Sequence, residues 1–268
     1  MAERADLSTD DLAVAVSEDD LVVHATIDRP AERNALSGDV IGGLMDALEF
    51  ADAGDARVFV IRGAEGTFCS GGDLTTMGED GGADSVDYRE QFSGLADLVE
   101  TMTDAGVLTV AAVEGYCLAG GLGLATACEF VVAHEAATFG TPEVDVGLFP
   151  AQAMATIMRA ADEKAGLKLM FTGEFVDAEE AADIGLVTEV APAEDFEDDL
   201  QALIDSLANN SPALIELGKT AYYTQRDLDF GNALEYLREV ITIVAMSDAT
   251  AEGIAAFLND TDPDWHHR

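Results

Sequence analysis

The segment VLTVAAVEGYCLAGGLGLA, residues 107–125, decides the fold expected of this chain. Its first part, Val107–Val113, is apolar except for Thr109, which is typical of a strand buried on both faces of a parallel sheet. Its second part, Gly115–Ala125, carries no charge and consists mainly of small residues, which suit a tightly packed helix start. A buried strand followed at once by such a helix predicts an α/β fold.

The same pattern recurs on both sides of this segment. Upstream, Leu12–Val16 and Leu21–Ile27 predict a hairpin, and Val58–Ile61 is a second buried strand. Repeated alternation of strands and helices implies mostly parallel strands. Downstream of Pro150 most segments have helical periodicity. We therefore expect an α/β core over residues 1–200 and a helical C-terminal region over residues 201–268.

Three local expectations follow from the same periodicities. Val86–Thr103 is expected to form one helix, and the Gly- and Asp-rich stretch Gly78–Ser85 a loop before it. Tyr116 is expected to belong to the core.

The composition combines a foldable core with a very acidic surface. The chain has 53 Asp and Glu against 13 Lys and Arg, a formal net charge of −40, while 49% of its residues are hydrophobic. This charge argues against binding to nucleic acids, which requires basic patches, and against docking on anionic lipids. Such a surface repels itself at low salt, whereas molar salt shortens the Debye length to about 3 Å and screens the repulsion. We therefore expect a protein of a salt-rich cytoplasm, as in a halophile.

The cysteines and the N-terminal sequence point to the same compartment. Cys69, Cys117 and Cys128 form no even disulfide framework and no metal-ligand spacing, so we expect neither disulfides nor a metal site. Residues 1–11 are charged and lack the apolar core of a signal peptide. No uncharged apolar run approaches the 18 residues that a membrane-spanning helix needs. These features predict a cytoplasmic protein that does not enter a membrane.

Three Gly-containing segments are candidates for chemistry. They are TFCSGGDL at Thr67–Leu74, the Gly115–Ala125 segment, and FGTPEVDVGLFP at Phe139–Pro150. Glycines let backbone N–H groups approach a ligand closely, and a helix start directs free N–H donors outward. Neither of the first two segments is a phosphate-binding P-loop. Taken singly, either of these two favours glycines that serve only turns and packing, and Glu143 in the third segment is either a solvated surface carboxylate or an active-site acid or base.

The order and spacing of the motifs resemble one family. The sequence RPAERNAL at Arg29–Leu36 precedes the three Gly-containing segments, which are followed by Thr172–Glu174 and by AADIGLV at Ala181–Val187. This arrangement resembles the crotonase, or enoyl-CoA hydratase/isomerase, superfamily. The resemblance implies a spiral of ββα units and a helical C-terminal region that covers the active site and assembles trimers or dimers of trimers. It also implies an acyl-CoA substrate and no separate cofactor, because coenzyme A is part of the substrate.

The resemblance assigns the reacting groups by position. The backbone N–H groups of Gly72 and Gly120 would form an oxyanion hole for the thioester oxygen, and Glu143 would be the catalytic acid or base. Hydratases of the family generally use a second glutamate in the Gly-rich helix, and Gly123 stands at that position here. Asp73, Glu114 or Asp145 could substitute for it. The resemblance places further substrate contacts at Arg29, Arg33, Ala35, Ser70, Asp73, Leu74, Gly123, Pro142 and Leu148.

The absent glutamate leaves the reaction open among three alternatives. The first is hydration of a 2-enoyl-CoA in acyl-CoA degradation. The second is isomerisation of a Δ3 to a Δ2 double bond, which needs a single base, Glu143. The third is an acyl-CoA-binding scaffold that has no catalytic activity. An RNA-binding role is opposed by the charge of −40.

Overall fold

Strands and helices alternate along the chain, as the sequence predicts. The computed structural model describes residues 7–73 and 84–265, so Leu74 and most of the predicted loop Gly78–Ser85 lie outside the described residues. The strands are β1 (Leu12–Val16), β2 (Val22–Ile27), β3 (Val58–Gly63), β4 (Leu108–Val113), β5 (Tyr116–Leu118), β6 (Phe130–His134), β7 (Thr138–Gly140), β8 (Phe175–Asp177) and β9 (Glu189–Ala191). The helices are α1 (Gly38–Ala53), α2 (Ser85–Gln91), α3 (Ser93–Asp104), α4 (Gly120–Ala125), α5 (Ala153–Ala160), α6 (Glu163–Thr172), α7 (Ala178–Asp183), α8 (Phe196–Ala208), α9 (Pro212–Arg226), α10 (Phe230–Ala245) and α11 (Asp248–Asn259).

Two sheets organise the core. The larger has the strand order β1-β2-β3-β4-β6-β9, in which β1 and β2 form the predicted antiparallel hairpin and the other neighbours are parallel. The smaller has the order β5-β7-β8, with β5 and β7 parallel. The smaller sheet positions the site, because β5 connects directly to the Gly-rich helix α4.

The larger sheet is buried on both faces, which explains the continuous apolar runs in its central strands. Phe59 and Ile61 point to the layer of α1 and α3, whereas Val58 and Val60 point to the opposite layer. There α8 packs its apolar side, including Phe196 and Ile204, on the sheet. The expected boundary between the α/β core and the C-terminal region, at residues 200 and 201, lies inside α8, which spans Phe196–Ala208.

The prediction of one continuous helix over Val86–Thr103 is wrong, because the chain forms two helices there, α2 and α3. Helix α2 ends before Phe92, where the backbone carbonyl accepts a hydrogen bond from the Gln152 side chain. Two residues later, a side chain on Gly94 would come within 3.1 Å of Ile41 of α1, so the chain passes close to α1 at this point. These contacts are remote in sequence and leave no local signal.

The C-terminal helices leave a large apolar surface exposed. Phe230 and Met246 of the α10 region and Phe257 of α11 are 79%, 81% and 86% exposed. Among the described residues no single helix is long and apolar enough to cross a membrane; the bent pair α10 and α11 meets the length and composition criteria only when combined.

Candidate active site

Three parallel segments bring the predicted catalytic groups to one edge. Strands β5 and β7 run side by side, and Cys69 pairs in parallel with Cys117 of β5. Parallel segments end at the same edge of a sheet, so the residues that follow them lie on the same side of the molecule. Gly72 follows the first segment, Gly120 follows β5, and Glu143 follows β7. The small sheet thus places these three residues at its carboxyl edge.

The first N–H group, that of Gly72, is oriented by the peptide bond it shares with Gly71. The Gly71 carbonyl accepts a 2.8 Å hydrogen bond from the Leu36 N–H, and the Asp73 N–H donates to the Leu36 carbonyl at 3.0 Å. In a trans peptide the N–H points opposite to the carbonyl, so the Gly72 N–H points away from Leu36. Within residues 7–73 and 84–265 it has no acceptor.

The second N–H group, that of Gly120, is oriented by the unusual backbone of Ala119. Ala119 has φ 55° and ψ −124°, the geometry of the first central position of a type II′ turn, which normally requires glycine. Such a conformation costs on the order of 1–3 kcal/mol. It is held by hydrogen bonds from the Ala119 N–H to Gly140 at 2.8 Å and from the Gly123 N–H to the Ala119 carbonyl at 3.1 Å. The Gly120 N–H likewise has no acceptor in the part of the chain that the structure describes.

The two donors lie side by side. A β-carbon placed on Gly120 would be 3.5 Å from the Gly72 nitrogen, and one placed on Gly71 would be 3.3 Å from the Gly120 nitrogen. Leu36 and Leu95 are each 3.7 Å from that Gly120 position and form apolar walls. Two unpaired N–H donors in an apolar setting can stabilise one oxygen that gains negative charge.

Glu143 supplies a carboxyl group with a free oxygen. It lies on a 3₁₀-helix, Pro142–Val146, which follows β7. Pro142 starts this turn with its fixed φ, and Gly147 ends it with a φ of 81°. Glu143 Oε2 is buried and has no hydrogen-bond partner among the described residues. Burial raises the pKa of this carboxyl above its ordinary value, which favours proton exchange near neutral pH.

The position of the missing glutamate, Gly123, is closed by helix α5. A β-carbon on Gly123 would lie 2.8 Å from the β-carbon and 2.9 Å from the α-carbon of Ala153. The Thr156 hydroxyl donates a 2.9 Å hydrogen bond to the Gly123 carbonyl, which fixes α5 in this place. A glutamate therefore cannot extend from this position unless α5 moves.

The three candidate substitutes for that glutamate are differently placed. Asp73 accepts a 3.0 Å hydrogen bond from Arg29, and Glu114 forms an ion pair with Arg62 at 3.3 Å. Asp145 lies on the same 3₁₀-helix as Glu143, but its side chain is exposed. Among residues 7–73 and 84–265, Glu143 is thus the carboxyl group with a buried, unpartnered oxygen.

Among the predicted substrate contacts, Arg29 is bound within the protein. Its guanidinium donates to the Ala35 carbonyl at 2.8 Å and pairs with Asp11 at 3.1 Å and with Asp73. Arg29 therefore braces the turn that carries Gly72, and its contact with CoA phosphates stays a prediction. Pro142 and Leu148 flank Glu143, and the Leu148 N–H donates to the Glu143 carbonyl at 2.9 Å.

The outer face of the small sheet carries a cavity of about 380 Å³ beside the site. It is lined by Arg33, Ser70, Tyr116, Leu118, Thr138 and Phe175. Tyr116 is 49% exposed, so its placement in the core is wrong. Residues alternate along a strand, and the buried neighbour is Cys117.

Several residues of the site carry no recognisable sequence signal. Leu36 and Leu95 form the apolar surroundings of the Gly72 and Gly120 N–H groups. Ala119 adopts the strained turn before Gly120. Asn34 connects the loop at Arg29 with the loop at Ala64. The Asn34 side chain is fully buried; it accepts from the Arg29 N–H at 2.9 Å and donates to the Ala64 carbonyl at 2.9 Å. Only the position of Ala119 directly before Gly120 could have been a signal.

Comparisons with known proteins agree with this arrangement. The sequence family described as enoyl-CoA hydratase/isomerase matches residues 18–268. The human mitochondrial enoyl-CoA hydratase domain-containing protein 3 is 32% identical over 251 residues, covering 92% of this chain and 82% of that protein. The 2,3-dehydroadipyl-CoA hydratase of Escherichia coli is 32% identical over 256 residues, covering 94% and 98%. A crystal structure of enoyl-CoA hydratase from Mycobacterium smegmatis has a TM-score of 0.91 at 27% identity and covers 97% of this chain and 100% of that chain. The crotonase-like α/β fold with a helical C-terminal region is confirmed.

Proposed function

Because this chain belongs to the enoyl-CoA hydratase/isomerase family, we propose that it converts an enoyl-CoA thioester through an enolate held by the Gly72 and Gly120 N–H groups. Glu143 moves the proton. The observation that carries this proposal is the pair of adjacent, unpaired N–H donors at Gly72 and Gly120, at the edge of the small sheet where Glu143 also follows its strand with a buried, unpartnered carboxyl oxygen. No separate cofactor is required, since coenzyme A is part of the substrate.

The oxyanion hole acts on the thioester oxygen. When a nucleophile adds to C3, or a base removes a proton from C2, negative charge moves onto that oxygen. Both N–H groups are fixed before the charge develops, so they need no reorganisation. Removal of one such donor typically costs about 3–4 kcal/mol of transition-state stabilisation.

Hydration of a 2-enoyl-CoA is our first assignment of the reaction. Water adds its oxygen to C3 while its proton passes to the Glu143 carboxylate, and the carboxyl then returns a proton to C2 of the enolate. The names of the relatives support this reaction, since the E. coli protein is named a 2,3-dehydroadipyl-CoA hydratase.

Isomerisation is the second candidate, and the closed position at Gly123 favours it. The Glu143 carboxylate would remove a proton from C2 of a 3-enoyl-CoA and return it to C4, which gives the 2-enoyl-CoA. This path needs only one carboxyl group. Helix α5 excludes a second carboxylate from the Gly123 position.

Two assays in molar KCl test the proposal. Hydration of crotonyl-CoA and isomerisation of a 3-enoyl-CoA are measured for the wild type, for Glu143→Gln, and for Glu179→Gln as a control of equal charge change on the exposed surface of α7. We expect Glu143→Gln to lower the rate by about 10²–10⁴-fold, as for the loss of a general acid or base. Full activity in Glu143→Gln would contradict the assignment. Binding of acyl-CoA without any turnover would instead indicate a non-catalytic scaffold.

We further propose that the protein assembles as a trimer or a dimer of trimers. The exposed apolar side chains on α10 and α11, including Phe230 and Phe257, support association, because such a surface is costly to leave in water. Light scattering at several protein concentrations measures the mass. A monomer at all concentrations in molar KCl would refute the proposal.

We also propose a salt-rich cytoplasm as its setting, without nucleic-acid or membrane partners. The charge of −40 supports this, because molar salt is needed to screen the repulsion. Thermal melts in increasing KCl are expected to show rising stability. Equal stability at low and molar salt would contradict the proposal.

A further inference from the structure

A thiol that the mechanism above does not use lies directly behind the first oxyanion donor. Cys69 is fully buried, and its sulfur accepts a hydrogen bond from the Gly71 N–H at 3.4 Å. The same sulfur donates to the Gly71 carbonyl at 3.8 Å. Cys69 therefore holds the peptide groups on both sides of Gly71.

The second of these peptide groups contains the catalytic donor. The Gly71 carbonyl and the Gly72 N–H belong to one rigid peptide plane, so any rotation of the carbonyl turns the N–H equally. Leu36 also donates to this carbonyl, at 2.8 Å. Gly71 itself has φ +109° and faces Ala119, so no side chain of its own can hold the turn.

Cys69 also touches the loop that carries the second donor. A β-carbon on Gly121 would lie 2.7 Å from the Cys69 β-carbon and 2.9 Å from its sulfur. Gly121 follows Gly120 directly, so one side chain packs against both turns that form the oxyanion hole. A shift of Cys69 would change the angle between the two N–H groups.

We infer that Cys69 is a positioning residue of the oxyanion hole, whose thiol fixes the direction of the Gly72 N–H relative to that of Gly120. This inference rests on the proposed function. Hydrogen bonds to the Gly71 carbonyl also polarise its peptide group and make the Gly72 N–H a stronger donor. The thiol stays protonated at neutral pH, because burial raises the pKa of Cys69 to about 12.

Three variants separate positioning from simple packing. Cys69→Ala removes the sulfur without adding bulk, and Cys69→Ser restores a donor and an acceptor. Cys128→Ala is the matched control, since Cys128 is also a buried free cysteine and bonds the Leu124 carbonyl at 3.6 Å at the far end of α4. The readouts are kcat and KM in molar KCl, the melting temperature, and the infrared frequency of the ¹³C-labelled thioester carbonyl in bound butyryl-CoA.

We expect Cys69→Ala to lower kcat by about tenfold, a fraction of the 10²–10³-fold loss for a whole oxyanion donor. KM should change by less than about twofold, because the donors act mainly on the enolate-like state. The carbonyl frequency of bound butyryl-CoA should move towards that of free butyryl-CoA, because a misaligned donor polarises the carbonyl less. Cys69→Ser should recover part of both effects. Cys128→Ala should lower the melting temperature and leave the carbonyl frequency and kcat unchanged.

A wild-type carbonyl frequency and kcat in folded Cys69→Ala would overturn the inference while leaving the proposed function intact. Equal losses of kcat in Cys69→Ala and Cys128→Ala would also overturn it, because the loss would then follow stability. If Cys69→Ala does not fold, Cys69→Val decides, because valine fills the space of the thiol without a donor or an acceptor: a wild-type carbonyl frequency with an unchanged kcat in Cys69→Val overturns the inference. Absence of any carbonyl shift and turnover in the wild type refutes the proposed function itself.

Discussion

Replacement of Gly123 by alanine should destabilise the protein, although alanine is the best helix former and Gly123 lies inside α4. The new β-carbon would lie 2.8 and 2.9 Å from two atoms of Ala153, distances that require α5 to move. The better helix propensity contributes roughly 0.5–1 kcal/mol. Overpacking in a tight core costs about 1–3 kcal/mol. The second effect is larger, so we expect a net loss of about 1–2 kcal/mol.

Denaturant unfolding in molar KCl measures this loss, and Gly42→Ala is the matched control. Gly42 lies on the exposed side of α1 with no atom within 4 Å of an added β-carbon, so alanine there should stabilise by about 0.4–1 kcal/mol. Ala153→Gly should partly relieve the loss in the double variant, with a coupling of about 0.5–3 kcal/mol. If Gly123→Ala is as stable as Gly42→Ala, α5 yields easily and Gly123 is not closed.

The closed position also decides what a restored glutamate would do. Gly123→Glu carries the same blocked β-carbon, so its carboxyl group cannot enter the site without displacing α5. We expect a less stable protein without increased hydration of crotonyl-CoA. Faster hydration of crotonyl-CoA with an unchanged unfolding free energy would show that α5 does not block a side chain at position 123.

Other groups give three further predictions. Glu143→Gln should stabilise the fold at neutral pH, because the pKa of Glu143 is raised in the folded state. The contribution of this carboxyl group to the unfolding free energy is complete below the ordinary glutamate pKa. It is lost as the pH rises through the pKa of the folded state. The difference from the wild type in unfolding free energy should vanish near pH 4, and a difference independent of pH would contradict this. Lys219→Met should lower the unfolding free energy by about 3–5 kcal/mol, because it leaves the largely buried Glu129 without its charged partner. Lys219 is buried, pairs with Glu129 at 3.3 Å and donates to the Val107 carbonyl at 2.7 Å. An unfolding free energy within about 1 kcal/mol of the wild type would show that the pair is dispensable. The affinity for acyl-CoA should rise as KCl increases from low values, since the polyanionic ligand approaches a chain of charge −40; calorimetry that shows only weakening would contradict the electrostatic argument.

Local patterns predict the strands and the Gly-rich turns because both depend on residues close in sequence. The apolar run at Val58–Ile61 is a buried strand since its alternate residues face two different layers. The two Gly-rich turns are recognisable because Gly71 and Gly121, next to the two donors, leave no room for a side chain: a β-carbon there would lie 2.6 Å from Ala119 and 2.6 Å from the Cys69 carbonyl oxygen. The order of these motifs along the chain predicts the family to which the chain belongs.

The features that escaped prediction depend on contacts between distant residues. Arg29 is predicted to contact the substrate, yet it is bound within the protein by Asp73, 44 residues away. The break at Phe92 depends on Gln152, 60 residues downstream. The steric closure at Gly123 depends on Ala153. No periodicity or local propensity encodes such pairs.

The most direct test of the proposed enolate mechanism is the exchange of the C2 protons of butyryl-CoA for deuterium in D₂O with molar KCl. This saturated thioester cannot be hydrated or isomerised, so incorporation of deuterium reports only proton removal and enolate stabilisation. We predict exchange in the wild type, and loss of exchange in Glu143→Gln with butyryl-CoA still bound. Absence of exchange in the active wild type, or equal exchange in Glu143→Gln, would contradict the claim that Gly72, Gly120 and Glu143 act together on an enolate.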